Sequence, residues 1–393
     1  MKETSEFDIA IVGAGPAGSS AAIRLAQSGR RVCLIEQKKF PREKLCGEFI
    51  SPECLAHFAE LRVIDEMSLA GGMSLERTIF YARNGRSVTV PSEWFGSGSH
   101  ALGLSRARMD EVLMNRARSA GARVLEETQA IGMLFKNETV IGLRLRDQRG
   151  EGFEISSRLT FDATGRSRIL SHQIEKAARS EKRNRAKFVA FKTHLENAAI
   201  RSADCEIYAY RGGYGGCSPV EGDRYNLCFI VASDIAKAHG GDAERIMRAV
   251  VFANTQAARA LKNARVVDSW WAVPIESYGR NELAPANGLL TIGDAAAFID
   301  PFTGSGILLA LESSKIAAAV VTDCRPQTGP KSDFTRLAAE YDKRYGAEMD
   351  RRLRVSSLLR RIAFAPLLAE TVIKGMALSE GLTHRLARAT RPK

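Results

Sequence analysis

Apolar positions fall into distinct periodic patterns along this chain, and each pattern predicts a different kind of element. In FDIAIVGAGPAGSSAAIRLAQSGRRVCLIEQ, the run Ile9–Val12 is apolar without alternation, as befits a strand covered on both faces of a parallel sheet. A Gly-rich turn, a helix from about Pro16 to Gly29 and a second apolar strand, Val32 to Ile35, follow it. Short strand-like runs fill 75–90, with a turn at Asn84-Gly85. Helical spacing then places Met109, Val112, Leu113 and Ala117 on one face of 106–120.

ARVLEE, a hairpin around Asp147 to Gly152 and the strand RLTFDATG make a second βα-type region. Residues 186–232 and 264–276 are rich in β-branched and aromatic side chains, suited to a large sheet. GLLTIGDAA reads as a further buried strand, and an apolar helix follows from about Gly304 to Asp323. The remainder is helical, with breaks expected near Pro326 to Gly329 and at Pro366.

The pattern predicts an α/β fold with a discontinuous Rossmann-like nucleotide domain made of 1–75, 101–185 and 277–325. A β-rich substrate domain, 76–100 and 186–276, is inserted into it, and a basic helical segment, 326–393, closes the chain.

Composition narrows the function classes. At 393 residues and 45% hydrophobic, the chain can bury a large core. Its first apolar stretch is too short to span a membrane and no small-residue cleavage site follows, so a cytoplasmic location is expected. The seven cysteines include no C-x-x-C pair, which points to unpaired thiols rather than disulfides or zinc. The six histidines are scattered, so no metal site is expected.

Net charge is +12, and the stretch from Arg351 to Lys393 carries ten Lys/Arg against two Glu. Basicity therefore belongs to a tail. No aromatic-basic interleaving accompanies it, which argues against nucleic acid as a partner. In the tail, Leu353, Leu358, Leu359 and Ile362 lie among Arg352, Arg360 and Arg361. Such a helix can rest peripherally on an anionic membrane face or pack on its own domain.

The chemistry-bearing motifs cluster at strand ends. In GAGPAG, Gly13 makes the turn, Gly15 lets a pyrophosphate approach the backbone, and Gly18 allows helix and strand to pack closely. Ala17 falls in the first turn of the helix that follows. Glu36, followed by Gln37, ends the second strand where a carboxylate accepts ribose hydroxyls. The second signal is GLLTIGDAAAFIDPFTGSGILLALESS. Gly293-Asp294 puts a carboxylate at a strand tip within reach of a ribityl chain. The helix opening at Gly304, Ser305, Gly306 and Ile307 aims bare N–H groups at an electron-rich flavin edge. A nicotinamide dehydrogenase has no use for that second site, so FAD is the cofactor expected.

These elements resemble flavoproteins of the para-hydroxybenzoate hydroxylase type, nearest the branch of geranylgeranyl reductases and flavin-dependent halogenases. GAGPAG, LSRARMDEVL, DATGRSR, GGYGGCSP, IGDAAAFIDP and PFTGSG carry the resemblance, which runs to about Asp323. It implies that Arg106 contacts the FAD pyrophosphate, that Asp294 holds the ribityl chain, and that Pro301 lies beside the flavin ring. Departures qualify what it implies. Thr164-Gly165 stands where NADPH-using hydroxylases carry Asp-Gly, so reduction by NAD(P)H directly and by a separate flavin reductase both remain open. No Lys occurs between Lys44 and Lys136, and the tryptophans read SWWAVPI, which argues against halogenation. Gly216 and Ser218 replace aromatic residues typical of the reductases.

FPREKLCGEFISPE, residues 40–53, follows the ribose acid at once. Gly47 lets backbone lie flat against a ring, and Arg42 and Lys44 favour an anionic flavin or a thiolate. Cys46 and Glu48 are the candidate catalytic side chains. The competing reading makes Cys46 a small hydrophobe and Glu48 half of a loop salt bridge. The leading expectation is a monooxygenase working through a flavin hydroperoxide on an apolar or aromatic small molecule. The alternatives are a reductase of prenyl, polyketide or lipid-like chains, and a flavin electron-transfer or binding protein.

Overall fold

Two sheets, built from interleaved stretches of sequence, face each other across the chain's main cleft. The computed structural model describes residues 5–95, 98–178, 186–276, 278–324, 330–363, 371–376, 379, 381 and 383–385. The first sheet runs Arg123–Leu125, Val32–Ile35, Ser5–Val12, Gly152–Asp162, Thr139–Arg146, Gln129–Lys136, and Leu289–Thr291 also pairs with Gly152–Asp162. Its centre is parallel and its 129–146 hairpin antiparallel.

Helices Pro16–Gln27, Arg106–Ser119 and Gly306–Asp323 bury their apolar faces on one side, with Ile9, Ile11, Leu34 and Phe161 among the core. Pro16 starts the first helix, and Gly29, at φ +82°, ends it by donating its N–H to Ala26. Ser105 caps 106–119, its hydroxyl accepting the Arg108 N–H.

The second sheet forms a roof over the cleft. Its order is Arg265–Val266, Phe188–Glu196, Arg224–Ala232, Gly213–Val220, Asp204–Tyr210, Arg77–Tyr81, Ser87–Pro91, with Trp271–Ile275 also on Phe188–Glu196. Alternation along these strands divides the faces. Phe191, Tyr208, Tyr210, Leu227 and Phe229 pack against helices Ala243–Ala249 and Thr255–Leu261 on the back, while Ala190, Ile207, Tyr214 and Ile230 face the cleft. Those short helices, started by Asp242 and Asn254 caps, stand beside the β-rich stretches that the sequence pattern picks out.

The C-terminal region begins with the helix Pro330–Ala363, whose Tyr341 and Tyr345 enter the main core. Of the tail side chains, Leu353 packs against that core, Arg352 is buried beside Glu348, and Leu358 is exposed. The side chains of Leu359, Arg360, Arg361 and Ile362, the expected break at Pro326 to Gly329 and Pro366 lie outside the described residues. Farther on, Ile373 packs with Ala82 and Val88 on the roof, and Trp94 meets His384 edge-on at 5.4 Å. Among the described residues, no helix is long and apolar enough to cross a membrane.

Candidate active site

The first sheet's strand ends form the floor of the cleft. Gly13 has φ +103°, and a Cβ there would sit 2.4 Å from the Ala163 carbonyl oxygen. A Cβ on Gly18 would lie 1.9 Å from the Gly13 oxygen, so both positions exclude side chains for packing reasons. Gly15 differs. A Cβ there would meet only the guanidinium nitrogens of Arg106 at 3.6 Å and Arg42 at 4.0 Å. The space above Gly15, at a helix N-terminus and beside two cations, fits a pyrophosphate.

The two guanidiniums are held by Asp110, which is fully buried. It accepts from Arg106 Nε at 2.9 Å and Nη2 at 2.7 Å, and from Arg42 Nη1 at 3.1 Å. Burial alone would lower the Arg106 pKa, and Asp110 raises it above the usual arginine value. No motif in the sequence marks Asp110 as part of the site. Its signal is the i, i+4 spacing to Arg106 in RARMD, one helical turn.

Glu36 is buried and accepts from the Ala14 N–H at 3.1 Å, the Lys38 N–H at 3.0 Å and Arg42 Nη2 at 3.1 Å. It thereby ties the Gly-rich turn to the next loop. Gln37 is exposed and borders a separate open cavity with Lys38, Lys39 and Arg146.

Gly15, Ala17, Cys46, Gly47, Glu48, Arg106, Gly165, Gly293, Asp294, Pro301, Gly304, Gly306 and Ile307 all line the main cleft. Ser305 is buried just before the helix at Gly306. Asp294 makes no hydrogen bond or ion pair among the described residues. Burial raises its pKa, against the pull of Lys44, Arg166 and Arg106. A half-buried carboxylate on the cleft lining, with unused acceptor capacity, fits a hydroxylated chain such as ribityl.

Lys44 also lines the cleft, and a Cβ on Gly165 would come within 3.1 Å of its ammonium nitrogen. Burial, then repulsion from Arg106 and Arg42, lower its pKa to about 8. Thr164 is fixed by the strand below it, its hydroxyl donating to Asp162 at 2.6 Å and accepting the Ile169 N–H at 2.8 Å.

The loop at Cys46 rests on Glu48. This residue is fully buried at φ +52°, an uncommon left-handed conformation for a non-glycine residue. Its N–H donates to Cys46 Sγ at 3.4 Å. One carboxylate oxygen accepts from Lys192 Nζ at 2.6 Å and the Arg106 N–H at 2.8 Å; the other contacts His194 Nε2 at 2.7 Å. The opposite His194 nitrogen, Nδ1, is 2.7 Å from Asp268, whose carboxylate is partly exposed.

Burial alone would raise the Glu48 pKa, but His194 and Lys192 outweigh it and hold the carboxyl below the usual range. Burial would lower Lys192 and His194, yet their acidic partners keep both above their ordinary values. Ligand atoms of Glu43, Glu48 and His194 lie within 4.8 Å of one another, and the Lys192 ammonium, 2.7 Å from Glu43, supplies a cation there.

Aromatic side chains enclose the cleft beneath the roof. Phe302 meets Tyr214 edge-on at 5.1 Å and Phe80 at 5.6 Å. Tyr214 donates its phenol to Asp300 at 2.5 Å, and Asp300 also accepts the Phe302 N–H, pinning the Pro301–Thr303 turn to the wall. Phe95, Ile207, Ile230, Ile275 and Phe298 complete the apolar side of the cleft, whose whole volume, cofactor floor included, is about 210 Å³.

Comparison with known proteins gives consistent likenesses. The family described as FAD binding domain matches residues 6–318. Digeranylgeranylglycerophospholipid reductase of Methanosarcina mazei is 29% identical over 322 residues, covering 79% of this chain and 74% of the relative. Menaquinone reductase of Mycobacterium tuberculosis is 27% identical over 402 residues, covering 96% and 90%. Among solved structures, the myxobacterial chondrochloren halogenase, an FAD-dependent halogenase, superposes with a TM-score of 0.76 at 25% identity, covering 87% of this chain and 80% of that one.

Proposed function

This chain belongs to the FAD binding domain family and is an FAD-dependent oxidoreductase, and from that premise we propose that it is a reductase saturating carbon–carbon double bonds in a prenyl or other lipid-like chain. The observation that carries the proposal is the apolar, aromatic wall that the roof side presents to the cleft. The relatives named as reductases of digeranylgeranylglycerophospholipid and menaquinone support it over monooxygenation, which would use a similarly dry pocket.

FAD, when bound, supplies hydride chemistry; the chain's own residues do the rest. Arg42 and Arg106, aligned by Asp110, neutralise the pyrophosphate above Gly15. Glu36 offers its carboxylate to the adenosine ribose, and Asp294 offers its own to the ribityl hydroxyls. The helix opening at Gly306 directs N–H groups to the flavin's pyrimidine edge. Phe80, Tyr214 and Phe302 exclude water from the substrate space.

Cys46 and Gly47 present a small surface on the cofactor side of that space. Glu48 acts as a positioning residue: its carboxylate is kept ionised and is spent on Lys192, His194 and the Arg106 backbone, so it has no proton to give. Cys46 serves as packing.

The test is an anaerobic titration. Holoprotein reduced with dithionite should be reoxidised, by absorbance, on mixing with a geranylgeranyl lipid. Failure to reoxidise with any unsaturated lipid while dioxygen reoxidises it normally would defeat the proposal.

A further inference from the structure

Strand register sorts the cleft-facing side chains of the roof into rows. In one row Ala209, Tyr214, Ile230 and Ala190 are neighbours, and in the next Phe80, Ile207, Gly216 and Cys228. The third row is polar. Thr78 pairs with Cys205, Cys205 and Ser218 stand one step beyond the Glu206–Cys217 pair, Ser218 pairs with Asn226, and Asn226 with His194. Successive strands lie about 4.8 Å apart, so Thr78 to Asn226 spans roughly 14 Å.

Thr78, Cys205 and Ser218 line the cavity where Phe49 and Phe95 also close in. The Thr78 hydroxyl is buried and, among the described residues, has no hydrogen-bond partner; Thr78 itself is 5% exposed. The same holds for Asn226 Oδ1, in a residue 1% exposed whose Nδ2 donates to the Cys46 carbonyl. Buried polar atoms of this kind carry a desolvation cost unless something satisfies them. An all-apolar wall would have been the simpler choice for an all-hydrocarbon ligand.

We infer that the polar row is a subsite for the oxygen-bearing end of the substrate, a hydroxyl or carbonyl on a prenyl-type chain, with Thr78 as its principal hydrogen-bond partner. This rests on the lipid-chain reading above and deepens it. The apolar part of the molecule lies along the Tyr214–Ile230 and Phe80–Ile207 rows, and the head reaches the Thr78–Ser218 end.

The experiment compares binding of geranylgeraniol and of the hydrocarbon lacking its hydroxyl to oxidised, FAD-loaded protein, read by the shift in flavin absorbance. The wild type should bind the alcohol about five- to tenfold more tightly, the scale of one buried neutral hydrogen bond. Thr78→Val should abolish that preference and leave hydrocarbon affinity unchanged. Its melting temperature without ligand should hold or rise, since a methyl replaces an unpartnered hydroxyl. Ser218→Ala should reduce the preference by a smaller factor.

Equal affinities in the wild type, or a preference that survives Thr78→Val, would overturn the subsite alone. Binding of neither ligand would overturn the lipid-chain reading and the subsite with it. Should Thr78→Val fail to fold, a preference undiminished in Ser218→Ala would overturn the row's role.

Discussion

Replacing Lys192 with Met tests how the Cys46 loop is held. The Lys192 side chain is 1% exposed and its partner Glu48 fully buried, 2.6 Å away. Met keeps most of the aliphatic stem, so packing changes little and the loss is mainly that of the ammonium. Breaking a buried pair by removing one partner costs about 3–5 kcal/mol, because the remaining charge stays uncompensated. Glu48 would keep His194 and the Arg106 N–H, which places the expected loss near the lower end, about 3 kcal/mol.

Glu43 is partly exposed and can rehydrate, so its contact with Lys192 adds little. The assay is urea unfolding of the FAD-loaded protein, followed by both flavin fluorescence and far-UV dichroism. In Lys192→Met/Glu48→Gln the buried charge is gone as well, so the double variant should recover about 1–2 kcal/mol relative to additivity. A single-variant loss under about 1 kcal/mol, or strict additivity, would refute the claim that this pair anchors the loop.

Other consequences can be checked alongside. The His194 pKa is raised in the folded state from 6.5, so its contribution is full below that value and is lost as pH rises through the folded value. Stability should therefore fall as pH rises above 6.5, and His194→Gln should flatten that slope in a pH series of melting curves. The lowered Glu48 pKa acts oppositely: its contribution is present above about 4.5 and lost as acid titrates it. Lys44, with its pKa near 8, should lose charge above that pH unless an anion holds the proton. FAD affinity by equilibrium dialysis should accordingly weaken above about pH 8, and Lys44→Met should remove that dependence. Gly13→Ala should destabilise the protein itself, while Gly15→Ala should fold normally and lose FAD affinity, because only Gly15 opens onto free space. Equal melting temperatures for these two variants would contradict that division.

The sequence made the floor of the site readable and left its supports hidden. Gly13, Gly15, Gly18, Asp294 and Gly306 announce themselves because a tight turn, a close approach or a bare helix end demands particular residues at fixed local spacing. Lys192, His194 and Asp268 carry no such mark. They join Glu48 across more than a hundred residues of chain, through strand register that periodicity alone does not reveal.

The hairpin at 129–146 was similarly hidden. Its turn uses Asn137 and Glu138, both at positive φ, without the glycine that usually marks such a turn. Its neighbour, turning between Asp147 and Gly152, carries Gly150 at positive φ and was legible. The polar row of the roof is a property of register too, visible only once five strands are aligned.

The reductive reading meets its most direct test in a single turnover of reduced holoprotein with a geranylgeranyl lipid under labelled dioxygen, with the product analysed by mass. The product should have gained a pair of hydrogens and no labelled oxygen. Labelled oxygen in the product, with its double bonds intact, would contradict the reductive reading.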